Sequence, residues 1–423
     1  MANIDIKTLK EYSPYLEYRN GVLHFDGVNL KELAQELGTP LYVYSANHIR
    51  DQIRAYKEAF PDALIAYAVK ANFNLGVIKI AAQEGCGADT VSGGEIYRAI
   101  KGGIPANKIV YAGVGKTDEE LNYALDQDIL MFNAESEMEI EVLNELAGKK
   151  GKKARIAIRV NPDVDPKTHP KIATGMKKSK FGIDIHKAFE VYKWAATLPN
   201  IEVVGIHCHI GSQLLDLSPF GEAVEKVVNL YKKLKAEGID IKYIDIGGGL
   251  GIKYKPEDKV PTPKDLADIV LPKLEGVDAQ LILEPGRSIA GNGGVLLTQV
   301  QFLKEKDDKR FVMVDAGFND LLRPAMYGSY HHILAVEEKP ETMEADIVGP
   351  ICETGDVLGE NRKICKVNRK DYLAILSAGA YGFVMSSHYN MRPRAAEVIV
   401  ENGKYRVTRP RENWDYIIWE ETV

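Results

Sequence analysis

Reactive side chains occur in this sequence directly after short apolar runs. Lys70 ends AYAVK, while Glu284 and Arg287 lie in the turn EPGR after another such run. A lysine partly removed from water has a lowered pKa and suits attack on an aldehyde. A carboxylate such as Glu284 can keep a pyridine nitrogen protonated, which makes that ring an electron sink. Plain structural explanations also exist, because Lys70 could leave a strand for solvent and Glu284 could form a salt bridge within its turn.

Two glycine-containing turns offer backbone N–H groups to an anion. Gly247, Gly248 and Gly249 follow YIDI, and GSQ at 211–213 contains Ser212. Bare N–H groups in such turns can hold a phosphate. A triple glycine is equally compatible with a tight strand-to-helix turn that binds nothing.

The segment VGIHCHIG carries His207 and His209 with one residue between them. Alternate residues of a strand point to the same face, so metal ligation is conceivable. No carboxylate or cysteine cluster adjoins them in the sequence, so we expect no metal. A flat imidazole stacked on a cofactor ring explains His209 better. Asp89 could orient His209 by a hydrogen bond, or could cap the next helix.

These residues fall within repeated strand–helix units between about residues 64 and 290. Continuous apolar strands that alternate with helices are typical of a parallel sheet, and eight units predict an α/β fold, a (β/α)8 TIM-like barrel. The C-terminal strand ends of such a barrel form its active site. The eight predicted strands are LIAYAVK (64–70), GADTVS (87–92), IVYAGV (109–114), LMFNAES (130–136), RIAIRVNP (155–162), VGIHCHIG (204–211), YIDIGGG (243–249) and LILEPGR (281–287).

The pattern then changes to short alternating runs separated by turns, with ENG marking a hairpin. This predicts a separate, mostly antiparallel β domain, resembling a sandwich or barrel, over 293–423. The N-terminal segment 1–45 contains EYRNGVLHFDGV, another predicted hairpin, and we expect it to join that β domain. The cofactor-binding barrel is then 46–292. Within the barrel, the long segment 161–184 is a candidate lid.

The composition argues against several other classes of protein. With 45% hydrophobic and 27% charged residues, the chain can bury a large core, and a net charge of −6 offers no basic surface for nucleic acid. No apolar stretch approaches the ~18 residues of a membrane span, and the N-terminal MANIDIKTLKEYSPY lacks a signal-peptide core. The four cysteines are widely spaced without a CxxC pair, so a disulfide framework is not expected and a reducing cytoplasm is.

Seven motifs together resemble those of the fold-type III pyridoxal-phosphate enzymes, which include alanine racemase and the ornithine, arginine and diaminopimelate decarboxylases. They follow the order of that family over nearly the whole chain. The motifs are YAVKAN (67–72), ADTVSGGE (88–95), HCHIGSQ (207–213), DIGGGLG (245–251), EPGRSI (284–289), PICETGD (350–356) and GAYGF (379–383).

The resemblance implies pyridoxal 5'-phosphate as the cofactor, carried by Lys70. It places His209 against the cofactor ring, Glu284 at the pyridine nitrogen, and the triple glycine with the EPGR region at the phosphate. Tyr381 of the GAY motif also reaches the cofactor. The implied cofactor-binding set is Lys70, Asp89, His209, Ser212, Gly247, Gly248, Gly249, Glu284, Gly286, Arg287 and Tyr381.

The resemblance also implies a head-to-tail homodimer in which Cys352 enters the active site of the partner subunit. Racemases of this fold pair the pyridine nitrogen with an arginine, which weakens the electron sink, so Glu284 favours decarboxylation. Cys352 is then the expected acid that returns a proton to the carbon. The implied catalytic residues are Lys70 and Cys352.

The segment NDLLRPAMYGSYHHI (319–333) resembles the diaminopimelate branch in particular. There, Arg323 and Tyr327 would bind the distal carboxylate together with Arg287, and Glu353 would take the distal amine; Tyr381 completes the implied substrate site. The ornithine branch typically has aspartate after its cysteine. The implied reaction converts meso-2,6-diaminopimelate to L-lysine and carbon dioxide, the last step of lysine biosynthesis. Two alternatives stay open: a decarboxylase of ornithine, lysine, arginine or carboxynorspermidine, and an inactive regulatory homologue.

Overall fold

A computed structural model describes residues 5–166, 174–175 and 180–422 of the chain. The chain divides into two compact units. The barrel unit comprises Gln52–Ile252 and Val260–Ser288, and the β unit comprises Met1–Asp51, Lys253–Lys259 and Ile289–Val423. The candidate lid at 161–184 includes 167–173 and 176–179, which lie outside the described residues.

The strands of the described ranges are numbered here in chain order. They are β1 (Leu16–Arg19), β2 (Val22–Phe25), β3 (Val28–Asn29), β4 (Leu41–Ser45), β5 (Leu64–Ala68), β6 (Gly87–Thr90), β7 (Ile109–Tyr111), β8 (Met131–Ala134), β9 (Ala154–Asn161), β10 (Ile183–Asp184), β11 (Ile201–His207), β12 (Tyr243–Asp245), β13 (Gln280–Leu283), β14 (Gly294–Lys306), β15 (Lys309–Val314), β16 (Ile333–Ala335), β17 (Thr342–Val348), β18 (Val357–Cys365), β19 (Tyr372–Ile375), β20 (Ala396–Glu401) and β21 (Lys404–Arg409).

The α-helices are numbered in the same way. They are α1 (Ile6–Tyr12), α2 (Leu30–Leu37), α3 (Ala46–Ala59), α4 (Leu75–Gln83), α5 (Gly93–Lys101), α6 (Asp118–Gln127), α7 (Glu137–Lys149), α8 (Ile185–Ala195), α9 (Ser218–Ala236), α10 (Pro263–Val270), α11 (Arg287–Ala290), α12 (Arg323–Tyr327) and α13 (Trp414–Ile418). Within the described ranges, no helix combines the length and apolar character that crossing a bilayer requires.

Eight parallel strands close into a barrel in the barrel unit. Neighbouring strands pair in the order β5, β6, β7, β8, β9, β11, β12 and β13, and β13 pairs back with β5. Apolar side chains from six of these strands form one buried cluster inside: Ala66, Val110, Met131, Ala157, Val204 and Ile282. The predicted (β/α)8 barrel is confirmed. All eight strands overlap the eight apolar runs of the sequence, although most end before the run does.

The β unit contains a three-stranded sheet, β1–β2–β3, and a nine-stranded sheet built around β14. The larger sheet runs β18–β17–β15–β14–β4–β20–β21, with β19 and β16 attached to β14. Only the β15–β17 and β4–β20 pairings of the described strands are parallel within this unit. The predicted mostly antiparallel β domain is therefore confirmed.

Two hairpin turns explain how the sequence starts and stops strands in the β unit. Asn20 and Gly21 between β1 and β2 have φ of 51° and 75°, and Asn402 and Gly403 between β20 and β21 have φ of 51° and 79°. Two consecutive positive φ angles match the twist of paired strands, and asparagine–glycine suits this turn best. Behind these hairpins, helices α1 and α2 bury Leu9 and Leu33 in the core of the unit.

Candidate active site

Lys70 lies just beyond the end of β5, in a short 3₁₀ helix formed by Val69–Ala71. Its Nζ is 2.5 Å from Oδ2 of Asp89 on the adjacent strand β6. The Asp89 side chain is fully buried, whereas 32% of the Lys70 side chain is exposed. Ser92, not Asp89, caps helix α5, which removes the capping role considered for Asp89. The ion pair therefore holds an accessible amine at the C-terminal end of the barrel strands.

A second buried group lies where β8, β11, β12 and β13 end. Oε2 of Glu284 is 3.5 Å from Nε2 of His207, and Nδ2 of Asn133 donates toward Oε1 of Glu284 at 3.4 Å. The ligand atoms of His207, Asp245 and Glu284 all lie within 4.8 Å of one another. The structure therefore brings the predicted Glu284 together with a second carboxylate, Asp245, which the sequence reasoning missed.

The two carboxylates of this group have opposite pKa shifts. Burial raises the pKa of Asp245 well above its usual value, and the charge of Glu284 raises it further. Burial alone would also raise the pKa of Glu284, but His207 and Lys70 reverse this and lower it below the usual range. At neutral pH the proton therefore belongs to Asp245 and the negative charge to Glu284. A buried anion at this place can stabilise a protonated ring nitrogen.

His209 lies beyond the end of β11 and faces the glycine turn. The N–H of Gly248 donates to Nδ1 of His209 at 3.3 Å, so the ring proton belongs on Nε2. Burial lowers the pKa of His209 well below its usual value, and the positive charges of Arg159 and Lys70 lower it further. His209 is therefore a neutral ring at neutral pH, and its flat face suits stacking on a cofactor.

The triple glycine forms a turn that no larger residue could adopt. Gly247 and Gly249 have φ of 70° and 121°, and a Cβ on Gly248 would lie 2.2 Å from the carbonyl oxygen of Glu284. A Cβ on Gly249 would lie 2.5 Å from the carbonyl oxygen of Gly211, so the GSQ turn lies against the glycine turn. The predicted phosphate-binding turns are thus adjacent in space.

Arg287 and Gly286 complete this side of the barrel unit. Nε and Nη2 of Arg287 donate to Oγ of Ser212 at 3.3 and 3.0 Å, which joins the EPGR turn to the GSQ turn. A Cβ on Gly286 would lie 2.8 Å from Cβ of Ala71. Gly286 therefore allows the EPGR turn to pack against the turn that carries Lys70.

The barrel residues fit pyridoxal 5'-phosphate. Several deeply buried polar atoms have no hydrogen-bond partner among the described residues, although native proteins normally satisfy such atoms. Those of the barrel's strand ends that lie outside the contacts of Glu284 are Oδ1 of Asp89, Oδ1 of Asn133 and Nδ1 of His207. Together with an accessible lysine, a buried anion and glycine-lined turns, they match an aldehyde that also carries a ring nitrogen and a phosphate.

The β unit holds Arg323 between two aromatic rings. The guanidinium carbon lies 5.1 Å from the ring centre of Tyr254 and 5.7 Å from that of Tyr327, and Nη2 donates to Oγ of Ser329 at 3.1 Å. Only 5% of Arg323 is exposed. Cation–π contacts and packing therefore fix the fork of donors that a carboxylate would accept. Tyr254 was not predicted, because its distance from Arg323 in sequence hides the contact.

The motif PICETGD forms an ordered loop of the β unit. Oδ2 of Asp356 accepts from the N–H of Ile351 at 2.7 Å, so the two ends of the loop are tied together. Cys352 and Glu353 between them are exposed, whereas Cys86, Cys208 and Cys365 are buried. Cys352 is therefore the accessible thiol of the chain.

Tyr381 lies in a separate turn, GAYGF, with a φ of 55°. A non-glycine residue rarely adopts this conformation and costs about 1–3 kcal/mol when it does, so the surrounding structure must enforce it. Gly379 shows how tight the turn is, because a Cβ there would lie 1.9 Å from the carbonyl oxygen of Ala290.

A closed (β/α)8 barrel with a lysine, a buried anion and glycine turns at its strand ends defines the class of α/β-barrel enzymes that use an aldehyde cofactor. Residues 46–291 match the family model described as pyridoxal-dependent decarboxylase, pyridoxal binding domain. The resemblance to fold-type III pyridoxal-phosphate enzymes is therefore confirmed.

Similar proteins and solved structures extend this match to almost the whole chain. A diaminopimelate decarboxylase of Aquifex aeolicus is 66% identical over 98% of this chain and 99% of its own length. The structure of diaminopimelate decarboxylase from Helicobacter pylori complexed with L-lysine is 44% identical, with a TM-score of 0.90 over 93% of this chain and 99% of that one. The structure of diaminopimelate decarboxylase from M. jannaschii in complex with L-lysine is 43% identical, with a TM-score of 0.94 over 97% of this chain and 98% of that one. The chain belongs to the pyridoxal-dependent decarboxylases, within the diaminopimelate decarboxylase family.

Proposed function

We propose that this protein decarboxylates meso-2,6-diaminopimelate to L-lysine and carbon dioxide, the last step of lysine biosynthesis. The observation that carries the proposal is Arg323, a buried cation held between Tyr254 and Tyr327. Ornithine and lysine carry only an amine at their far end, which gives this cation nothing to bind. Diaminopimelate carries a carboxylate there as well. The L-lysine complexes of related diaminopimelate decarboxylases support the same product.

The barrel residues would hold the cofactor. When bound, pyridoxal 5'-phosphate supplies an aldehyde and a protonated ring that accepts the electrons left by carbon dioxide. Glu284 would hold the proton at the ring nitrogen, and His209 would stack on the ring. The other residues proposed to hold the cofactor are Lys70, Asp89, Ser212, Gly247, Gly248, Gly249, Gly286, Arg287 and Tyr381.

Asp89 prepares Lys70 for its role. Burial raises the pKa of Asp89, and the charge of Glu284 raises it further, although Lys70 partly opposes this. Oδ2 of Asp89 can therefore take a proton from Nζ of Lys70, which leaves a neutral amine able to attack a carbonyl. The same amine later releases the product.

The β-unit residues bind the rest of the substrate and complete the reaction. Arg323 and Tyr327 bind the distal carboxylate with Arg287, and Glu353 binds the distal amine. Each pairing is a charge-assisted hydrogen bond, so the site selects an amino acid at the far end rather than a simple amine. Sγ of Cys352 delivers the proton to the carbon that has lost carbon dioxide.

We also propose a homodimer in which Cys352 and Glu353 act at the active site of the partner subunit. Their exposure in the single chain supports this arrangement, since catalytic groups normally lie in closed sites. A cytoplasmic location is supported by four cysteines that are all free. We propose domain boundaries at 1–45, 46–292 and 293–423.

The direct test mixes purified, cofactor-loaded protein with meso-diaminopimelate and measures carbon dioxide and L-lysine. Ornithine, lysine and arginine are run in parallel. We expect L-lysine from diaminopimelate and no release of carbon dioxide from the other three. Release from one of the others alone would reject the substrate while leaving the cofactor and fold in place.

Arg323→Gln is expected to raise KM for diaminopimelate by roughly 10- to 100-fold, because a charged hydrogen bond contributes about 1.5–3 kcal/mol. The change in kcat should be small, since the distal end does not react. Initial rates over a range of diaminopimelate concentrations give both constants. Arg310→Gln is the matched control, because Arg310 lies in the same unit and forms an exposed ion pair with Glu305. Equal KM values for the two variants would contradict the role of Arg323.

Glu284→Gln is expected to lower kcat by about 100-fold, as removal of one electrostatic stabiliser does in other enzymes. A neutral amide no longer holds the proton at the ring nitrogen, so the electron sink weakens. Cofactor content, measured by its absorbance, should stay near that of the wild type. Glu284→Asp retains the charge and should recover part of the rate. A loss of cofactor without a change in the rate per bound cofactor would show that Glu284 only binds it.

A further inference from the structure

Two adjacent residues of one turn contact two adjacent residues of the Cys352 loop. The N–H of Cys352 donates to Oδ1 of Asn390 at 2.9 Å. The hydroxyl of Tyr389 donates to Oε2 of Glu353 at 3.2 Å. The turn 388–392 and the loop 351–356 both belong to the β unit, so a single turn contacts the backbone of the cysteine and the side chain of the glutamate.

The turn adopts an uncommon backbone conformation to present these groups. Asn390 and Met391 both have φ of 55°, within the 3₁₀ segment Tyr389–Met391. Asparagine tolerates this region better than most residues, but methionine does not. Such strain persists only where the surrounding structure enforces it, and it often accompanies functional sites.

The turn is itself anchored to the far end of the loop. The ring of Tyr389 stacks on that of Phe318 at 5.6 Å, with 23° between the planes. The N–H of Phe318 donates to Oδ1 of Asp356 at 2.6 Å, while Oδ2 of Asp356 accepts from Ile351. The loop is therefore held at both ends and in the middle, yet Cys352 and Glu353 remain exposed.

These contacts do little for stability but much for orientation. Hydrogen bonds between exposed groups contribute little to folding, because water competes for the same donors and acceptors. A glutamate on a loop, however, samples many rotamers, and fixing one of them removes an entropy cost from substrate binding. Likewise, a proton donor must lie within hydrogen-bond reach of the carbon's position, so its backbone must be fixed.

We propose that Tyr389 and Asn390 are positioning residues with separate roles. Tyr389 aims Glu353 at the distal amine, and Asn390 fixes the backbone that carries the thiol of Cys352. The assignment rests on the proposed function, because it takes Glu353 as a substrate ligand and Cys352 as the acid. It implies that Tyr389 governs KM and Asn390 governs kcat.

Tyr389→Phe tests the role of the tyrosine, since it keeps the ring on Phe318 and removes only the hydroxyl. KM for diaminopimelate is expected to rise about 5- to 10-fold, with kcat within about twofold of wild type. The Kd of L-lysine, measured by calorimetry on the cofactor-loaded protein, should rise by the same factor, because L-lysine keeps the distal amine. Tyr405→Phe is the matched control: Tyr405 also binds a glutamate, Glu36, on the surface of the β unit.

Asn390→Gly tests the role of the asparagine, because glycine suits the positive φ and removes only the acceptor. Hydrogen exchange should become faster for the peptide that contains Cys352 and stay unchanged elsewhere. The kcat should fall about 10-fold while KM stays near the wild-type value. Asn390→Asp retains an oxygen acceptor at the same place, so it should restore slow exchange at Cys352.

The outcomes separate this proposal from the proposed function. A wild-type protein that releases no carbon dioxide from diaminopimelate rejects the proposed function. An active wild type in which Tyr389→Phe changes neither KM nor the Kd of L-lysine overturns the role of Tyr389. Equal effects of Tyr389→Phe and Tyr405→Phe overturn it as well. Unchanged exchange at Cys352 in Asn390→Gly overturns the role of Asn390.

Discussion

Lys70→Ala is expected to lower kcat for diaminopimelate by about 10⁴-fold or more, because it removes both a covalent anchor and a proton carrier. The structure gives Lys70 two properties that this role requires. Its side chain is partly exposed at the strand ends, and its amine pairs with the buried Asp89. Removal of the amine also leaves Asp89 without its cation, so the pKa of that carboxyl should rise further.

The measurement combines turnover with covalent labelling. Borohydride should fix the cofactor to a proteolytic peptide that contains Lys70 in the wild type, and to none in Lys70→Ala. Lys79→Ala is the control, because Lys79 is an exposed residue of α4 in the same unit. Added methylamine should restore part of the turnover of Lys70→Ala, since it supplies the missing amine. Normal labelling in Lys70→Ala would show that another lysine carries the cofactor.

The barrel was predictable because its signal is local and repeated. Each strand is a short apolar run, and a parallel strand buried on both faces must be apolar throughout. Strand ends were less predictable. The run LIAYAVK predicts a strand to Lys70, but β5 ends at Ala68 and a 3₁₀ turn carries the lysine. The backbone leaves the regular strand before Lys70, and the apolar pattern of the sequence does not indicate where this happens.

The barrel side of the site was predictable from the rule that strand ends carry chemistry. The rule marks Lys70, Glu284 and the triple glycine as candidates, whereas their roles at a cofactor follow only from the family resemblance. Asp245 obeys the same rule, as the last residue of β12, but the sequence does not show that it lies beside Glu284. The pKa separation between Asp245 and Glu284 was not predictable, because it depends on burial and on the position of His207.

The site residues of the β unit could not be predicted from the sequence pattern. Only the family resemblance points to Arg323, Cys352 and Glu353, since no periodicity distinguishes them. Their supports, Tyr254 for Arg323 and Tyr389 with Asn390 for the Cys352 loop, come from distant parts of the chain. Such contacts exist only after the sheet has formed, so they become visible only in the structure.

Cys352→Ala is expected to lower kcat by about 10³-fold while the cofactor stays bound, because a positioned general acid contributes about 10²- to 10⁴-fold. Alanine removes the thiol without adding bulk to an exposed loop. Cofactor absorbance and the Kd of L-lysine should match the wild type, whereas lysine formation should not. Because the other three cysteines are buried, iodoacetamide should inactivate the wild type at Cys352. Unchanged turnover in Cys352→Ala would reject its role as the acid.

A mixture of the two inactive variants decides which subunit supplies the acid. In a dimer formed from one Lys70→Ala chain and one Cys352→Ala chain, one site would contain both an intact Lys70 and Cys352 of the partner subunit. Co-expression with two different affinity tags allows the mixed dimer to be isolated and assayed. Activity well above that of either variant alone is expected, because the acid crosses the interface. If the mixed dimer is as inactive as its parents, the lysine and the cysteine of each site come from one chain, and the proposed exchange of loops between subunits is wrong.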